Sequence, residues 1–359
     1  MSDPPRRVLV YRCGALGDTI VALPAMRAVR EAFPGAELVL MTANEGAGIL
    51  WTDEVLRDFG WFSHVVTYRG REVATLRGLL DVVRRVRAVQ PDLVLYLGSD
   101  HNSGVRVLRD RLFFLLAGTA RFVTATSDKV SFLGRLRRER REYPHEVDRL
   151  LEAVSRAGIA TGPARFDLPR RPVHAERIAA LLTGSGVGGG RPLVAMCPGS
   201  KQGAKRWPLE RYAALGARLI ADAGVDVAII GGTDEACAAE VVTRGWPAGR
   251  FTVLAGRLSV LESAEALRHA RLYVGNDTGA MHLAAAVGTP CVAVFAAREP
   301  GRSWHPYGDS HVVLRNDAVP CANCYLTDCT IERLRCLTSI DVSAVWEACR
   351  AMLATARAA

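Results

Sequence analysis

The stretch Gly275-Asn-Asp-Thr-Gly-Ala-Met-His-Leu-Ala-Ala-Ala-Val-Gly-Thr-Pro290 decides how this chain folds. An apolar run, Leu272–Val274, precedes it and predicts a buried parallel strand. The cluster Gly275–Gly279 is typical of a turn that starts a helix, and Met281–Val287 then predicts a short Ala-rich helix. A second apolar strand follows at Cys291–Phe295. A strand that leads into a glycine-lined helix start is typical of α/β sheets.

Such a helix start gathers unpaired backbone N–H groups and the positive end of the helix dipole at one point. The stretch therefore predicts a cradle for an anion, and diphosphates are its commonest ligands. The alternative is an ordinary strand-turn-helix in which Asp277 or Thr278 only caps the helix.

The composition indicates two well-packed domains and an anionic ligand. The 359 residues exceed one typical core, and 49% of them are hydrophobic. The chain has 46 Lys and Arg against 37 Asp and Glu, and the net charge of +9 favours an anionic substrate or surface. Aromatic residues make up only 7% and are not interleaved with basic ones, which argues against a nucleic acid as the partner.

No segment has the pattern of a targeting signal or a membrane span. The apolar run after Arg6-Arg7 ends at Arg12, which is too short for a signal peptide, and Gly288-Thr-Pro290 interrupts the longest uncharged run. The sequence therefore predicts a cytoplasmic protein. A basic run, Arg135–Glu142, is interpreted either as a solvated loop or helix face or as a contact for an anionic acceptor or for the inner face of the membrane.

Strand-like and helix-like segments alternate along both halves of the chain. In the first half, strands are predicted at Val8–Tyr11, Ala36–Met41 and Asp92–Leu97, and helices at Thr19–Ala32, Val73–Val89 and Glu146–Ala157. In the second half, further strands are predicted at Pro192–Met196, Asp226–Ile230 and Val253–Leu254, and helices at Leu209–Ala223, Ala236–Arg244 and Ser263–Ala270. This alternation predicts parallel sheets covered by helices. We expect an α/β protein with two Rossmann-like domains that face a central cleft. The predicted domains are 1–165 and 192–359, joined by a linker over 166–191 that is rich in Pro, Gly and Arg.

The linker contains a run, Gly184-Ser-Gly-Val-Gly-Gly189, that matches the dinucleotide fingerprint G-x-G-x-x-G. That fingerprint binds a dinucleotide where it follows a strand and opens a helix. Here it follows a helix-like run, Ala175–Leu182, and precedes a strand. We therefore interpret it as a flexible tether and discount a dehydrogenase.

A glycine-rich turn with Arg12, Gly14, Gly17 and Asp18 joins the first strand to the first helix. It lies at the carboxyl end of the strand, where open α/β sheets bind ligands. Asp18 is interpreted either as a helix cap or as a general base. The helix dipole would keep its carboxylate ionised, which suits taking a proton from an attacking hydroxyl.

Two further strand-end segments carry candidate donor-binding residues. In Ser200-Lys201-Gln-Gly-Ala-Lys205-Arg-Trp207, Lys205 is a candidate cation for a leaving diphosphate and Ser200 a candidate donor, while the alternative is a basic loop anchored by Trp207. In Gly231-Gly232-Thr-Asp234-Glu235, the carboxylates are candidates to hold ribose hydroxyls or to cap the next helix. His282 is interpreted either as a phosphate contact or as a buried histidine.

Together these segments resemble the glycosyltransferase family 9 heptosyltransferases, the ADP-heptose transferases of lipopolysaccharide core assembly. The resemblance covers nearly the whole chain, and its order and spacing are specific. It rests on Gly17-Asp18…Pro24, His145-Glu-Val-Asp-Arg149, Ala204-Lys-Arg-Trp-Pro208, Gly231-Gly232, Asn276-Asp-Thr-Gly279-x-x-His282-x-Ala-Ala-Ala and Glu299-Pro…Trp304-x-Pro-Tyr-Gly308.

The resemblance implies a GT-B fold and an inverting reaction without a catalytic metal or cofactor. It implies an N-terminal acceptor domain, with Arg12, Gly14 and Gly17 as candidate acceptor contacts, and a C-terminal domain for an ADP-sugar donor. By resemblance Asp18 is the base and Lys205 contacts the diphosphate, while Asp277, Thr278, Gly279 and His282 hold the donor phosphate and sugar. The expected acceptor is an anionic glycolipid or a small molecule. The absence of any Asp-x-Asp pair from the chain agrees with this, because metal-dependent transferases commonly hold their ion through one.

One loop departs from the family pattern, with Ala296-Ala-Arg-Glu-Pro300 where the family continues Gly-Pro-Thr-Asp-Pro. This departure keeps two alternatives open. One is a GT-B transferase of another sugar that acts on a small-molecule acceptor. The other is a nucleotide-sugar-binding protein without transfer activity.

Four of the nine cysteines lie close together, as Cys321-x2-Cys324-x4-Cys329-x6-Cys336. Such spacing is able to place four thiolates around one Zn²⁺ or iron ion as a structural site. Related autotransporter heptosyltransferases resemble this in carrying an iron-binding four-cysteine element, with different spacing. The alternative is a set of reduced thiols without a metal.

Overall fold

The computed structural model of the chain describes residues 4–46, 49–98, 104–119, 121–124 and 144–355. The basic run at 135–142 lies outside these residues. The chain divides into two units, Met1–Asp167 and Leu168–Ala359.

The first unit is built on a five-stranded parallel sheet with the strand order β3-β2-β1-β4-β5. Its strands are β1 (Arg7–Tyr11), β2 (Glu37–Ala43), β3 (His64–Tyr68), β4 (Leu93–Tyr96) and β5 (Phe122–Thr124). Its helices are α1 (Leu16–Ala32), α2 (Thr52–Leu56), α3 (Gly70–Val73), α4 (Leu76–Val89), α5 (Gly104–Leu116) and α6 (Glu146–Arg156). The strand order reverses direction between β1 and β4, which places a topological switch point at their carboxyl ends.

The second unit is built on a six-stranded parallel sheet with the order β11-β10-β9-β6-β7-β8. Its strands are β6 (Leu193–Cys197), β7 (Asp226–Ile229), β8 (Phe251–Val253), β9 (Leu272–Asn276), β10 (Cys291–Phe295) and β11 (His311–Arg315). Its helices are α7 (Pro172–Gly184), α8 (Leu209–Asp222), α9 (Thr233–Val242), α10 (Val260–His269), α11 (Gly279–Ala286), α12 (Arg335–Thr338) and α13 (Val342–Thr355), with a 3₁₀ turn at Gly203–Lys205. Its switch point lies between β6 and β9.

The strands form because their apolar runs are covered on both faces. Every residue of β6, β9 and β10 is buried, as continuous runs in a parallel sheet require. Helix α8 buries Tyr212, Leu215 and Leu219 against the sheet, at the spacing of one helical face. The predicted α/β class with two parallel sheets is confirmed.

Several elements differ from the prediction for physical reasons. The sequence pattern does not predict β3, β5 and β11, because each lies at the edge of its sheet and is only partly buried. The predicted helix Val73–Val89 is divided, because the Thr75 side chain accepts the Gly78 N–H and caps a new helix, α4. Helix α7 lies inside the predicted linker. Within the described residues, no helix combines the length and apolarity needed to cross a membrane.

Candidate functional site

The carboxyl ends of β6 and β9 bring Lys205 and Asp277 together. Since β6 and β9 are neighbours at the switch point, the loops that leave them lie side by side. Lys205 Nζ lies 2.6 Å from Asp277 Oδ2, and the two side chains are only 15% and 11% exposed. Two residues of the predicted donor cradle therefore form a largely buried ion pair at the start of α11.

Asn276 holds these two loops together. Its side chain is fully buried. Its Nδ2 donates hydrogen bonds to Pro198 O at 2.9 Å and Gly199 O at 3.0 Å, while its Oδ1 accepts from Trp207 N–H at 3.1 Å and from Tyr212 O–H at 2.8 Å. The sequence patterns did not single out Asn276 as a functional residue. A polar residue that ends a buried apolar strand is a usable signal, because buried amides need partners.

The loop that carries Lys205 is fixed by further contacts. Ser200 is buried, its carbonyl accepts from Arg206 Nε at 2.7 Å, and its hydroxyl accepts from Gln202 N–H at 3.4 Å. Trp207 is fully buried and donates from Nε1 to Ile340 O at 2.9 Å. The predicted anchor is thus a core residue, and it holds the end of the loop against the sheet.

The predicted carboxylates after β7 take two different positions. Glu235 is buried and accepts the Gly232 N–H at 2.7 Å, so it caps α9. It also packs against Gly199, where an added Cβ would lie 2.3 Å from Glu235 Oε1. Asp234 is about half exposed and pairs with Lys201 at 2.9 Å. Glu235 therefore takes the capping role that was the alternative to binding ribose hydroxyls. Contacts of Asp234 and Lys201 with a donor stay a prediction.

The first turn of α11 keeps its N–H groups free of side-chain caps. Thr278 precedes the helix in an extended conformation, and its side chain makes no capping hydrogen bond with the first turn. Its hydroxyl instead lies 3.4 Å from Tyr273 O–H. Gly279 opens the helix, and His282 is buried with its ring packed edge-on against Trp304, 5.9 Å between centroids. The helix start therefore retains the donors that an anion would need.

In the first unit, Asp18 lies at the carboxyl end of β1 with a third of its side chain exposed. Its Oδ2 accepts the Ala15 N–H at 3.1 Å, which caps α1 and leaves Oδ1 available. Gly14 makes this approach possible, because a Cβ there would lie 2.3 Å from Asp18 Cβ. Gly17 is the second residue of α1. The turn glycines therefore shape the backbone around Asp18.

Arg12 lies beneath Asp18 and has no exposed surface. Its Nε and Nη2 donate to Asp18 O at 3.0 and 2.6 Å, and its Nη1 donates to Leu97 O at 2.8 Å. Nη1 also lies 3.5 Å from Glu146, which Arg149 holds through two hydrogen bonds of 2.7 Å. A fully enclosed guanidinium has no surface that an acceptor could contact. The expected acceptor contact of Arg12 is therefore revised, and its role is to position the Asp18 backbone.

The four clustered cysteines do not converge on a metal site. No group of three or more His, Cys, Asp or Glu side chains in the described part of the chain is placed to hold an ion, and all four cysteines are free thiols. Burial and the nearby Cys336 and Cys324 raise the pKa of Cys321. Burial alone would raise the pKa of Cys329, but backbone N–H groups, the Leu334 N–H at 3.2 Å foremost, bond its sulfur and lower it. A structural zinc or iron at these cysteines therefore stays a prediction.

The alternative of reduced thiols without a metal predicts that the purified chain carries far less than one zinc or iron ion per molecule. The measurement is elemental analysis of protein purified without added metal, with Cys324→Ser and the exposed Cys237→Ser as variants. About one ion per chain that is lost in Cys324→Ser but retained in Cys237→Ser would assign a metal to the cluster instead.

The cysteine segment supports the turn that carries Lys205. Arg298, which lies in the loop that departs from the family pattern, is buried and donates from Nε to Leu326 O at 2.8 Å. One residue later, Thr327 O accepts the Ala204 N–H at 2.9 Å. The 3₁₀ turn Gly203–Lys205 is thus held from outside by the segment that Arg298 fixes. The altered loop has a packing role.

Known proteins share both the sequence pattern and the fold. The model of glycosyltransferase family 9 (heptosyltransferase) matches residues 112–334, more than half of the chain. Lipooligosaccharide heptosyltransferase 2 of Haemophilus influenzae is 30% identical over 195 residues, 51% of this chain and 55% of that protein. The chain thus spans about half the length of the first curated relatives it matches. Lipopolysaccharide heptosyltransferase 1 of Pseudomonas aeruginosa is 26% identical over 343 residues, 91% of this chain and 88% of that protein.

The structure of the Escherichia coli ADP-heptose LPS heptosyltransferase II is similar with a TM-score of 0.68 at 19% identity, covering 97% of this chain and 99% of that one. This likeness confirms the predicted GT-B fold. Three findings lead to one conclusion. They are two parallel sheets with candidate residues at both switch points, a family match over most of the second unit, and relatives of one kind. The chain belongs to glycosyltransferase family 9, the heptosyltransferase family.

Proposed function

We propose that this enzyme moves a heptose from ADP-heptose to a hydroxyl of a lipopolysaccharide-type acceptor, with inversion and without a catalytic metal. The observation that carries the proposal is the Lys205–Asp277 pair at the start of α11. The names of the relatives support the donor and the acceptor class.

On the donor side, the leaving ADP needs positive charge where its diphosphate develops negative charge. Lys205 and the uncapped N–H groups of α11 supply this charge from two directions. Asp277 holds Lys205 in position before the donor arrives. A carboxylate repels phosphate, so in our proposal Asp277 accepts a hydrogen bond from a sugar hydroxyl of the donor.

On the acceptor side, Asp18 serves as the general base. The acceptor hydroxyl attacks the anomeric carbon from the face opposite to the diphosphate, its proton passes to Asp18, and the bond from the anomeric carbon to the phosphate oxygen breaks to release ADP. Oδ1 is the oxygen that takes the proton, since Oδ2 is engaged by the Ala15 N–H. Arg12 Nη2 lies 3.8 Å from Oδ1, and the hydrogen bonds of Arg12 to the Asp18 carbonyl fix the backbone of the base.

In the altered loop, Arg298 is engaged in holding the cysteine segment, so we do not assign it a contact with the donor. A contact of the basic run at 135–142 with an anionic glycolipid or with the inner face of the membrane remains part of the proposal. It rests on the charge of that run alone.

We expect Lys205→Met to weaken ADP binding by about 10- to 100-fold, the usual effect of losing a charge-assisted contact. Isothermal titration with ADP measures this, and Arg244→Met, a change at an exposed residue of the same unit, is the matched control. The double variant Lys205→Met/Asp277→Asn separates two explanations. If Lys205 acted only by neutralising Asp277, the double variant would recover ADP binding, and the proposal would fail. A preference for UDP over ADP would equally contradict the proposed donor.

A further inference from the structure

A cavity of about 640 Å³ lies at the amino ends of β6 and β9, the edge of the sheet opposite to Lys205 and Asp277. Its walls are the last turns of α7, the glycine run with Gly188 and Gly190, and the segment Arg268–Arg271 that leads into β9. This volume is in the range of small-molecule sites. The proposed reaction makes no use of it.

The walls of the cavity are strongly cationic, with Arg191, Arg268 and Arg271 among the lining residues. Two buried carboxylates lie close by, and each already has more than one arginine partner. Asp226 pairs with Arg191 at 2.7 Å and with Arg250 at 2.9 Å.

The second carboxylate, Glu265, pairs with Arg268 at 2.9 Å and with Arg170 at 3.3 Å. Burial alone would raise the pKa of Glu265, but these arginines hold it below its ordinary value, so it stays ionised. Of the three arginines that line the cavity, Arg191 and Arg268 thus pair with these carboxylates, and Arg271 adds a third positive charge.

Arg271 has no counter-charge for its guanidinium. The structure shows no ion pair or side-chain hydrogen bond for Arg271 within the described ranges, and its Nε is buried without a partner. A buried guanidinium nitrogen that lacks an acceptor is costly. Arg271 lines the cavity, so its positive charge is available to an anion there.

The glycine run adds a stretch of backbone that a ligand in the cavity could approach closely. Gly188 and Gly190 have φ values of +85° and +96°, a conformation that other residues rarely adopt, and both line the cavity. A Cβ at Gly190 would meet no atom within 4 Å, so the space beside it is open. The run that matched a dinucleotide fingerprint out of context is therefore one wall of a cationic cavity.

We propose that this cavity is a second anion-binding site of the second unit and that it takes a phosphate group. Several arginine guanidinium groups at one cavity match the multiple oxygens of a phosphate better than a single carboxylate. A free phosphorylated small molecule and the headgroup of a phospholipid share this chemistry. The proposal does not depend on the transferase reaction.

Hydrogen–deuterium exchange of the full chain tests the site directly, with the donor site saturated by ADP. The probes are inorganic pyrophosphate for a free ligand, and vesicles of phosphatidylglycerol or of neutral phosphatidylcholine for a headgroup. We expect pyrophosphate or the phosphatidylglycerol vesicles to slow exchange in the peptides that span 184–193 and 267–272. Arg271→Gln should raise the probe concentration that gives half-maximal protection by at least about tenfold. Arg244→Gln, which removes an exposed charge outside the cavity, should leave that concentration unchanged.

Protection at 184–193 and 267–272 by pyrophosphate assigns a free phosphorylated ligand, and protection by phosphatidylglycerol vesicles alone assigns a headgroup. No protection there from either probe overturns the site, as does equal protection in Arg271→Gln and Arg244→Gln. Peptides that span 198–206 and 276–282 report the ADP site in the same experiment. A failure of the donor proposal is therefore seen separately from a failure of the second site.

Discussion

Asp18→Asn lowers kcat by about 10²- to 10⁴-fold, the usual contribution of a general base, and changes ADP affinity by less than about twofold. Asparagine has nearly the same shape, and its Oδ1 retains the hydrogen bond from Ala15 N–H that caps α1. It cannot take the proton of the attacking hydroxyl. The fold is thus preserved while the proposed proton acceptor is removed.

The measurement combines initial rates of ADP release, with ADP-heptose and an inner-core acceptor, and titration calorimetry with ADP. Asp81→Asn is the matched control, because Asp81 is 60% exposed and pairs only with Arg85 on its own helix. Its rate should equal that of the wild-type chain. A kcat for Asp18→Asn within about threefold of the control would remove Asp18 from the role of base.

Asn276→Ala should destabilise the second unit by about 3–5 kcal/mol, among the largest effects of a single substitution. The truncation leaves two donors, Trp207 N–H and Tyr212 O–H, and two buried carbonyls without the partner they share. It also opens a gap between the two loops. Because Lys205 and Asp277 depend on those loops, ADP affinity should fall as well.

Urea unfolding followed by tryptophan fluorescence measures this loss, since the Trp207 N–H bonds directly to the Asn276 side chain. Asn316→Ala is the comparison, because Asn316 also bonds through both ends of its amide but lies at the surface. Its expected cost is below about 1 kcal/mol. If both variants unfolded at the same urea concentration, the Asn276 hydrogen bonds would not be what holds the loops.

Local patterns were enough to locate the elements whose burial is complete. Strand β10 runs from Cys291 to Phe295, as its apolar run predicts, and α11 follows β9 after the predicted turn. The order of strands in the sheet is a different matter. Nothing in the local pattern of β6 indicates that β9 is its neighbour, because that pairing depends on how the whole second unit packs.

The same limit applies to the candidate site. Residue type and position at strand ends indicated Asp18, Lys205 and Asp277 as candidate site residues. Carboxylates and lysines at such ends are suited to taking a proton or binding a diphosphate. Arg12 follows a strand in the same way, and only the packing of α6, more than 130 residues further along the chain, shows that it is enclosed by Glu146. Charge in a sequence does not reveal burial.

The hydrogen bonds of Asn276 also have a consequence for the order in which the second unit folds. The hydrogen bonds of Asn276 to Trp207 and Pro198 span 69 and 78 positions of the chain, and β7 and β8 are formed from the residues in between. Contacts this distant must wait for a long loop to close, whereas β6, β7 and β8 pair through nearer neighbours. The two halves of the edge that carries Lys205 and Asp277 are therefore absent as a pair from any partly folded chain that lacks β9. A nascent chain acquires the edge only when the centre of its sheet is complete.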